Sequence, residues 1–488
     1  MKWLSRATVA LSILLLVLAI QALRLTSQQP EPEDINRVTV KRDQAAARLA
    51  NMLKIPTDSS KDSAQHFRRQ TALMRTAWPS VYQQLSLVQL NEHSQLLGWR
   101  GTEPTLRPLL LLAHLDTVPA DQQSWQQQPY SGAQIDGDIW GRGALDDKGS
   151  VAAIMESVSL LLAQGYTPQR SIILAFGHDE EVGGEQGAAA ISQYLADAKV
   201  QPWMVLDEGG LVLHEAPFPI DQPLALVGTK EKGYLSVKIT ASATGGHSSM
   251  PPKQTAIFTL AEVLQRIQAA PFPAAIDGPA EQMFDWLAAD MRWPEKLLFA
   301  NRWLFSPLII HSLERSDGGN ALIRTTIAPT MLSAGSKDNV LPETASVVIN
   351  LRLHPRDSAE AALAHLHAAI SDLDDNASAI TIEPLHDISG KRSSDSSLDN
   401  VAFNALTQSI RNNFPDALVA PYLMVATSDS RHYRSLSDRI YRFSPMRLHI
   451  DDLSRIHGRN ERISVDSYVE AIQFYADLIR ASGNSTAE

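Results

Sequence analysis

The sequence predicts an α/β fold with a largely parallel sheet and a separate α+β unit. Three apolar runs have the composition of buried strands and carry His, Asp or Glu near their ends; they lie at residues 108–116, 171–181 and 203–210. Residues 149–165, between the first two runs, have helical periodicity. This order of elements is typical of a parallel sheet, in which ligands bind beyond the carboxyl ends of the strands.

The α+β unit is predicted from a change in the hydrophobic pattern near residue 232. Two runs alternate apolar and polar residues, as half-exposed antiparallel strands do, and two further segments have helical periodicity; they lie at 234–242, 346–354, 253–269 and 358–372. We therefore assign residues 232–386 to a separate unit. The stretch 271–320, rich in Pro and Trp, is longer than a simple connection needs and is predicted to be a helical insertion.

The rest of the chain divides into three parts. Residues 35–231 form the first segment of the sheet domain, and residues 387–488 return to it through predicted helices at 401–413 and 466–481. The chain has 488 residues, and this length agrees with two or three folded units.

Residues 1–25 form an N-terminal anchor or signal. Ala7 to Leu23 carry no charge and follow Lys2 and Arg6, as in a Sec signal or a membrane anchor. Because no small-residue cleavage site precedes the polar residues, a retained anchor is favoured over a cleaved signal, and a buried core helix is the remaining alternative. The protein is then membrane-anchored or secreted, with its catalytic domain extracytoplasmic, or periplasmic in a Gram-negative bacterium.

The composition excludes several classes of protein and limits the side chains that could bind a metal ion. Hydrophobic residues make up 44% and charged residues 20%, which excludes a disordered chain or a polytopic membrane protein. The net charge of −11 gives no reason to expect a nucleic-acid partner. Since cysteine is absent, a metal ion must be held by His, Asp and Glu.

One pair of candidate residues lies at the end of the first predicted strand, and a second pair follows that strand. His114 and Asp116 are two apart, so on a strand they face the same way and can form a carboxylate–histidine pair that orients a metal ligand. Asp146 and Asp147 precede a helix in the glycine-flanked segment GRGALDDKG. A structural histidine and an ordinary helix N-cap are the alternatives.

The remaining candidates lie farther along the chain. Glu180 and Glu181 end the second strand and point in different directions, so one can bind a metal while the other faces a water molecule. Asp207 closes the third strand, and His457 lies near the C-terminus. Together these residues supply enough ligands for two zinc ions if one carboxylate bridges them.

Seven segments in this order resemble the signatures of the dizinc peptidase family M-twenty. They are HLDTVP (114–119), GRGALDDKG (141–149), DEEVGG (179–184), LDEGG (206–210), GGHSSMPP (245–252), DNVLPE (338–343) and IHGRNERIS (456–464). The likeness is greatest to the Gly-X carboxypeptidase (carboxypeptidase S) branch and to the related N-acyl-amino-acid hydrolase/synthase enzymes. It implies a catalytic domain with a mixed, largely parallel sheet and an inserted α+β lid and dimerisation domain.

The resemblance implies roles for individual residues. His114 and Asp207 are expected to bind one zinc ion and Glu181 and His457 the other, with Asp146 bridging them. Asp116 is expected to orient the His114 ring, Glu180 to be the general base, and the 146–147 peptide to be cis. His247 in the lid is expected to stabilise the oxyanion. Three residues are expected to contact substrate: Asn339, Arg352 and Arg431.

The expected substrate is a small peptide or an N-acyl amino acid, and the resemblance allows a homodimer through the lid domain. A Gly-X carboxypeptidase is the first hypothesis and an N-acyl-amino-acid amidohydrolase/synthase the second. A catalytically inactive metal-binding module is the alternative from another class, which the presence of Glu180 disfavours. For Arg431 a structural salt bridge is an equal alternative. The aromatic residues of the insertion line an acyl pocket in one interpretation and belong to the core in the other.

Overall fold

The computed structural model describes residues 2–59, 63–121, 124–373, 379–385 and 396–484. Its helices are α1 Lys2–Arg24, α2 Arg42–Leu53, α3 Ala64–Ala77, α4 Pro79–Gln84, α5 Lys148–Ala163, α6 Ala188–Asp197, α7 Ala256–Ala269, α8 Gly278–Leu287, α9 Glu295–Ala300, α10 Arg302–Leu313, α11 Asp317–Ile323, α12 Ala359–Ile370, α13 Val401–Asn413 and α14 Val465–Asn484. Short 3-10 helices lie at Glu180–Val182, Asp429–Tyr433 and Ile450–Arg455.

The strands fall into several sheets. In chain order they are β1 Ser86–Leu90, β2 Ser94–Trp99, β3 Leu109–His114, β4 Ala133–Ile135, β5 Asp138–Trp140, β6 Ile172–Gly177, β7 Met204–Leu213, β8 Leu224–Glu231, β9 Gly233–Ser242, β10 Gly246–His247, β11 Thr326–Ala334, β12 Val340–Leu341, β13 Thr344–Leu353, β14 Ala379–Pro384, β15 Leu418–Met424, β16 Ile440–Leu448 and β17 Arg462–Ser464.

An eight-stranded sheet forms the centre of the molecule, in the order β1-β2-β6-β3-β7-β16-β8-β15. Strands β6, β3, β7 and β16 run parallel to one another, and β15 is parallel to β8. The pairs β1–β2, β2–β6 and β16–β8 are antiparallel. The predicted α/β fold with a mixed, largely parallel sheet is therefore confirmed. Because β3, β6 and β7 are adjacent and parallel, their carboxyl ends lie side by side at one edge of the sheet.

Helices cover both faces of this sheet. On one face α5 lies against β3 and is enclosed by α2, α4 and α14, and its side chains are buried almost all round. On the other face α6 contributes Ile191 and Leu195 to a smaller core with Leu110 and Val205. The terminal helix α14 thus packs on a helix that begins more than 300 residues earlier.

A second, four-stranded sheet has the order β11-β13-β9-β14 and is antiparallel throughout. Helices α7 and α12 cover one face, and the enclosed side chains form a core of their own, which includes Val237, Ile349 and Leu366. This sheet lies within the predicted unit 232–386. The predicted boundary between residues 386 and 387 lies outside the described residues, and the domain limits stay predictions.

The insertion contains α8 to α11 and packs on the central sheet. Its buried residues Met283, Phe284 and Phe299 belong to the main core, and α8 lies against the edge strand β15. Trp286 packs on Phe403 of α13 with ring centroids 5.4 Å apart. The structure thus favours the core interpretation of these aromatic residues over the pocket.

Candidate metal centre

Four of the predicted metal-binding residues converge beyond the carboxyl end of β3. Asp146 lies between two histidines, with its Oδ1 atom 2.8 Å from His114 Nε2 and its Oδ2 atom 2.9 Å from His457 Nε2. The same His457 nitrogen is 3.1 Å from Glu181 Oε2. A carboxylate with one oxygen toward each imidazole has the geometry that a bridging ligand requires.

Asp116 lies behind His114 and also holds the next loop. Its Oδ1 atom is 3.3 Å from His114 Nδ1, and its backbone carbonyl is 3.0 Å from the same nitrogen. Its two carboxylate oxygens accept hydrogen bonds from the backbone N–H groups of Glu180 and Glu181, both at 3.1 Å. Asp116 therefore fixes the imidazole and the two glutamates relative to each other.

Glu208, which was not among the predicted residues, faces the cluster. Its Oε1 atom is 3.5 Å from His114 Nε2, and Glu208, His114 and Asp147 offer ligand atoms within 4.8 Å of one another. The predicted ligand Asp207 instead accepts a 2.7 Å hydrogen bond from the backbone N–H of Ser430. Since neighbouring residues on a strand point to opposite faces, the geometry favours Glu208 over Asp207 as the ligand from β7.

A buried ion pair joins the two loops that carry Asp146 and His457. Glu461 Oε1 accepts hydrogen bonds from the backbone of Gly143, Leu145 and Asp146, and its Oε2 atom is 2.6 Å from Arg142 NH1. Arg142 NH2 donates to the carbonyl of His457 at 3.0 Å. Sequence reasoning did not single out Arg142 or Glu461, although both lie inside quoted motifs, GRGALDDKG and IHGRNERIS.

The loop before α5 needs its glycines. Gly143 has φ +90°, which disfavours any residue with a Cβ atom, and a Cβ at Gly149 would lie 2.3 Å from the carbonyl oxygen of Ala144. The Asp146–Asp147 peptide is cis, as the resemblance implies.

The electrostatics of the cluster are those of a cation site. Burial and the charge of Asp146 raise the pKa of Glu208 well above its usual value, and burial likewise raises that of Asp147. Hydrogen bonds to Asp146 and Glu181 raise the pKa of His457 to about 10. Asp147 Oδ1 is buried and has no hydrogen-bond partner among the residues that the structure describes. A bound cation would favour the ionised forms of these buried carboxyl groups, and their oxygen atoms together with the imidazole nitrogens suit a divalent metal ion.

Glu180 and Arg431 lie beside this cluster. Burial, the largest effect, raises the pKa of Glu180 to about 8, against the opposing charges of His114 and Arg431. The Arg431 NH1 atom is 3.8 Å from Glu180 Oε1. Arg431 belongs to the short 3-10 helix Asp429–Tyr433. Ser430 of this helix makes two hydrogen bonds that hold it in place: its backbone N–H donates to Asp207, and its Oγ atom accepts from Arg442 Nε at 2.9 Å.

The lid residues lie apart from the cluster. His247 is exposed on the two-residue strand β10, and its Nδ1 atom accepts a hydrogen bond from the Ser249 backbone at 3.1 Å. Asn339 is exposed and accepts from Ser248 N through its carbonyl, and Arg352 stacks on Tyr234 at 5.0 Å. Within the described ranges, no hydrogen bond or ion pair joins these three predicted residues to the metal cluster, and their roles stay predictions.

Comparison with known proteins identifies the family. The sequence profile of peptidase family M20/M25/M40 matches residues 110–481, which include the whole histidine–carboxylate cluster. The chain belongs to this family. As an M20 protein it is a hydrolase of the metallopeptidase and amidohydrolase class. Across the match, the predicted resemblance to peptidase family M-twenty is confirmed.

Two relatives illustrate the likeness. The chain is 38% identical to "Probable carboxypeptidase S-like 2" of Dictyostelium discoideum over 96% of this chain and 92% of that protein. It is also 38% identical to "N-fatty-acyl-amino acid synthase/hydrolase PM20D1" of Xenopus tropicalis, over 90% of this chain and 86% of that protein. Both alignments cover nine-tenths of this chain or more.

The fold of the M20 protein is shared with solved structures. The di-peptidase Dug1p of Saccharomyces cerevisiae superposes with a TM-score of 0.62 at 16% identity, covering 91% of this chain and 97% of that one. At this identity the likeness concerns the fold alone.

Proposed function

We propose that the protein is a dizinc carboxypeptidase of the Gly-X type, which hydrolyses an amide bond next to a free C-terminal carboxylate. The observation that carries this proposal is the position of Arg431 beside Glu180. A guanidinium group pairs well with a carboxylate, and here it lies 3.8 Å from the candidate base. A substrate whose carboxylate pairs with Arg431 would present its adjacent amide bond to Glu180.

The ligands proposed for the metal ions follow from the distances. His114 with Glu208 would hold one zinc ion and His457 with Glu181 the other, and Asp146 would be shared between them; Asp207 is the alternative to Glu208. When bound, the metal ions would supply Lewis-acid polarisation of the scissile carbonyl group and a water molecule whose pKa is lowered to about 7.

Glu180 acts as the general base in this proposal. Its carboxylate removes a proton from the attacking water and delivers the proton to the leaving nitrogen. Its backbone N–H is held by Asp116 at 3.1 Å, which fixes the start of the side chain relative to His114. His247 is proposed to stabilise the oxyanion, in a homodimer formed through the lid domain. Asn339 and Arg352 are proposed to contact the substrate.

A second candidate is an N-acyl-amino-acid amidohydrolase/synthase. It is favoured by the 38% identity to the N-fatty-acyl-amino acid enzyme, which equals the identity to the carboxypeptidase S-like relative. The same groups act on the same kind of bond, so the two functions differ in the acyl side of the substrate.

Helix α1 is proposed to anchor the chain in a membrane, with the catalytic domain extracytoplasmic. Among the described residues, the segment Arg6–Arg24 is long and apolar enough to cross a bilayer. A cleaved signal is the alternative to this anchor.

Hydrolysis of a small panel tests the proposal. We expect Cbz-Gly-Leu dipeptides to be cleaved faster than N-oleoyl or N-acetyl amino acids, and the reverse order would favour the second candidate.

We expect Glu180→Ala to retain its metal ions and lose hydrolysis; a fully active variant would contradict the mechanism. A wild-type chain that binds zinc without hydrolysing any substrate would favour the inactive binding module.

Arg431 is tested separately. We expect Arg431→Gln to raise KM about tenfold to a hundredfold for substrates with a free carboxylate, because a hydrogen bond to a charged group contributes about 1.5–3 kcal/mol. Amidated substrates should be unaffected. Arg459→Gln, at an exposed position near His457, is the matched control. An equal effect of Arg431→Gln on free and amidated substrates would favour the structural salt bridge with Glu180.

A further inference from the structure

The insertion presents an apolar helix face to the outside of the protein. On α10 the exposed residues recur at 303, 304, 307, 308, 311 and 312, along one side of the α-helix, and the first four of them are Trp303, Leu304, Pro307 and Leu308. Trp303 and Leu308 on this face are 63% and 54% exposed. The opposite side of α10, with Phe305 and Ile309, packs on the main core.

This face lies beside the apolar N-terminal helix. Asn301, just before α10, donates a 3.0 Å hydrogen bond from Nδ2 to the carbonyl of Leu18, and Trp303 Nε1 donates a 3.2 Å bond to Gln21 Oε1. Leu18 and Ala22 are buried, whereas most large apolar residues of α1 are exposed. The insertion therefore packs against one side of α1, and the other sides of α1 are exposed.

The position of this contact along α1 determines how deep the start of α10 lies in a bilayer. The apolar segment Arg6–Arg24 is about 28 Å long, close to the thickness of a hydrocarbon core. Leu18 precedes Arg24 by six residues, so the carbonyl that Asn301 contacts lies about 9 Å inside the end of the segment. The start of α10 then lies about 9 Å below the edge of the hydrocarbon core, within the roughly 5–10 Å to which interfacial helices insert their apolar face. Gln21, which Trp303 contacts, lies closer to the interface, where tryptophan is enriched.

We propose that α10 docks on the bilayer surface next to the anchor, with Trp303, Leu304 and Leu308 inserted into the interface. The inference rests on the membrane anchor of the proposed function. A bilayer is the occupant rather than a second copy of the chain because the α10 face continues the exposed apolar surface of α1. Since α8 of the same insertion packs on β15, this contact also fixes the catalytic domain relative to the membrane.

Labelling at a single cysteine tests this docking, because the chain has no cysteine of its own. The full chain carrying Leu308→Cys and an environment-sensitive fluorophore is reconstituted in phosphatidylcholine vesicles, with and without brominated lipid. Phe258→Cys on α7 of the lid is the matched control, since Phe258 is 64% exposed. Both positions are exposed, so both variants should fold and hydrolyse a soluble substrate like the parent chain.

We expect a blue-shifted emission at position 308 and quenching by brominated lipid several-fold stronger than at position 258. Equal quenching at the two positions overturns the proposal. A blue shift at 308 without lipid quenching indicates a second copy on this face and overturns it as well. Intact mass separates the causes: loss of residues 1–25 contradicts the anchor itself, whereas an intact chain with a solvent-exposed label contradicts only the docking.

Discussion

Asp207 and Glu208 are neighbours on β7, and their side chains make different contacts. Glu208 faces His114 at 3.5 Å, whereas Asp207 accepts a hydrogen bond from Ser430 and so helps to hold the segment of Arg431. One residue thus belongs with the metal cluster, and the other with the loop that faces Glu180.

This assignment predicts different results for two conservative substitutions. Glu208→Gln should reduce the bound zinc from about two ions to one per chain, because it replaces the carboxylate that faces His114. Asp207→Asn, the matched control, should keep both ions. Metal analysis after equilibrium dialysis measures this, and retention of both ions by Glu208→Gln with loss from Asp207→Asn would restore Asp207 as the ligand.

The sequence was sufficient to predict that His114, Asp146, Glu181 and His457 lie together, because each lies in a recognisable motif at a strand end or in a loop. It indicated Asp207 as the ligand from the third strand, whereas the distances favour its neighbour Glu208. Both faces of a central strand are buried in this fold, so the apolar run before the two carboxylates has no polar face to reveal which one points to the site.

At the scale of elements, the end of β13 connects the lid sheet to the insertion. Arg356 NH1 is 2.7 Å from Asp277 Oδ1, and its NH2 atom donates to the carbonyl of Ile323 at 2.6 Å. His354 is buried beside it, and its Nδ1 atom accepts from the Arg356 backbone at 3.5 Å. The junction between the lid sheet and the insertion therefore consists of buried or half-buried contacts of Arg356 around the neutral side chain of His354.

This junction should lose stability in acid. Burial, and then the charges of Arg356 and Lys232, lower the pKa of His354 to about 3. In an unfolded chain the pKa of histidine is about 6.5, so the unfolded state binds the extra proton and stability falls as pH drops from 6.5 toward 3. We expect the thermal midpoint of His354→Gln to fall less between pH 7 and pH 5 than that of the parent chain. An unchanged pH dependence would contradict this role.

The packing of the insertion was not predictable from the same data. Residues 271–320 are helical and aromatic, which suits a core or a pocket equally well. The choice depends on which surface the helices meet, and Met283, Phe284 and Phe299 meet the central sheet domain through contacts far along the chain. Local periodicity carries no information about such a partner.

At the scale of the whole molecule, the central sheet domain is assembled from two distant chain segments. Strands β15 and β16 and helix α14 belong to the C-terminal segment. They pack with strands that lie before residue 232 in the chain. Arg142 and Glu461 join the same two parts at the metal cluster and are 319 residues apart. The pair thus couples the assembly of the domain to the meeting of Asp146 with His457.

Breaking this pair should be costly. Glu461→Ala is expected to lower the free energy of unfolding by about 3–5 kcal/mol, because it leaves Arg142 buried without its partner. The matched control is Asp466→Ala, which removes an exposed ion pair with Arg42 and should change the free energy by at most about 1 kcal/mol. Denaturant unfolding of the metal-free chain measures both, and similar values for the two variants would contradict the proposed coupling.

The central claim is that the carboxylate–histidine cluster holds the metal ions that hydrolysis requires. Titrating zinc into the chelator-treated chain, while amide hydrolysis is followed, tests this most directly. We predict negligible hydrolysis without metal and full hydrolysis at two zinc ions per chain. A metal-free chain that hydrolyses its substrate at the full rate would contradict the account.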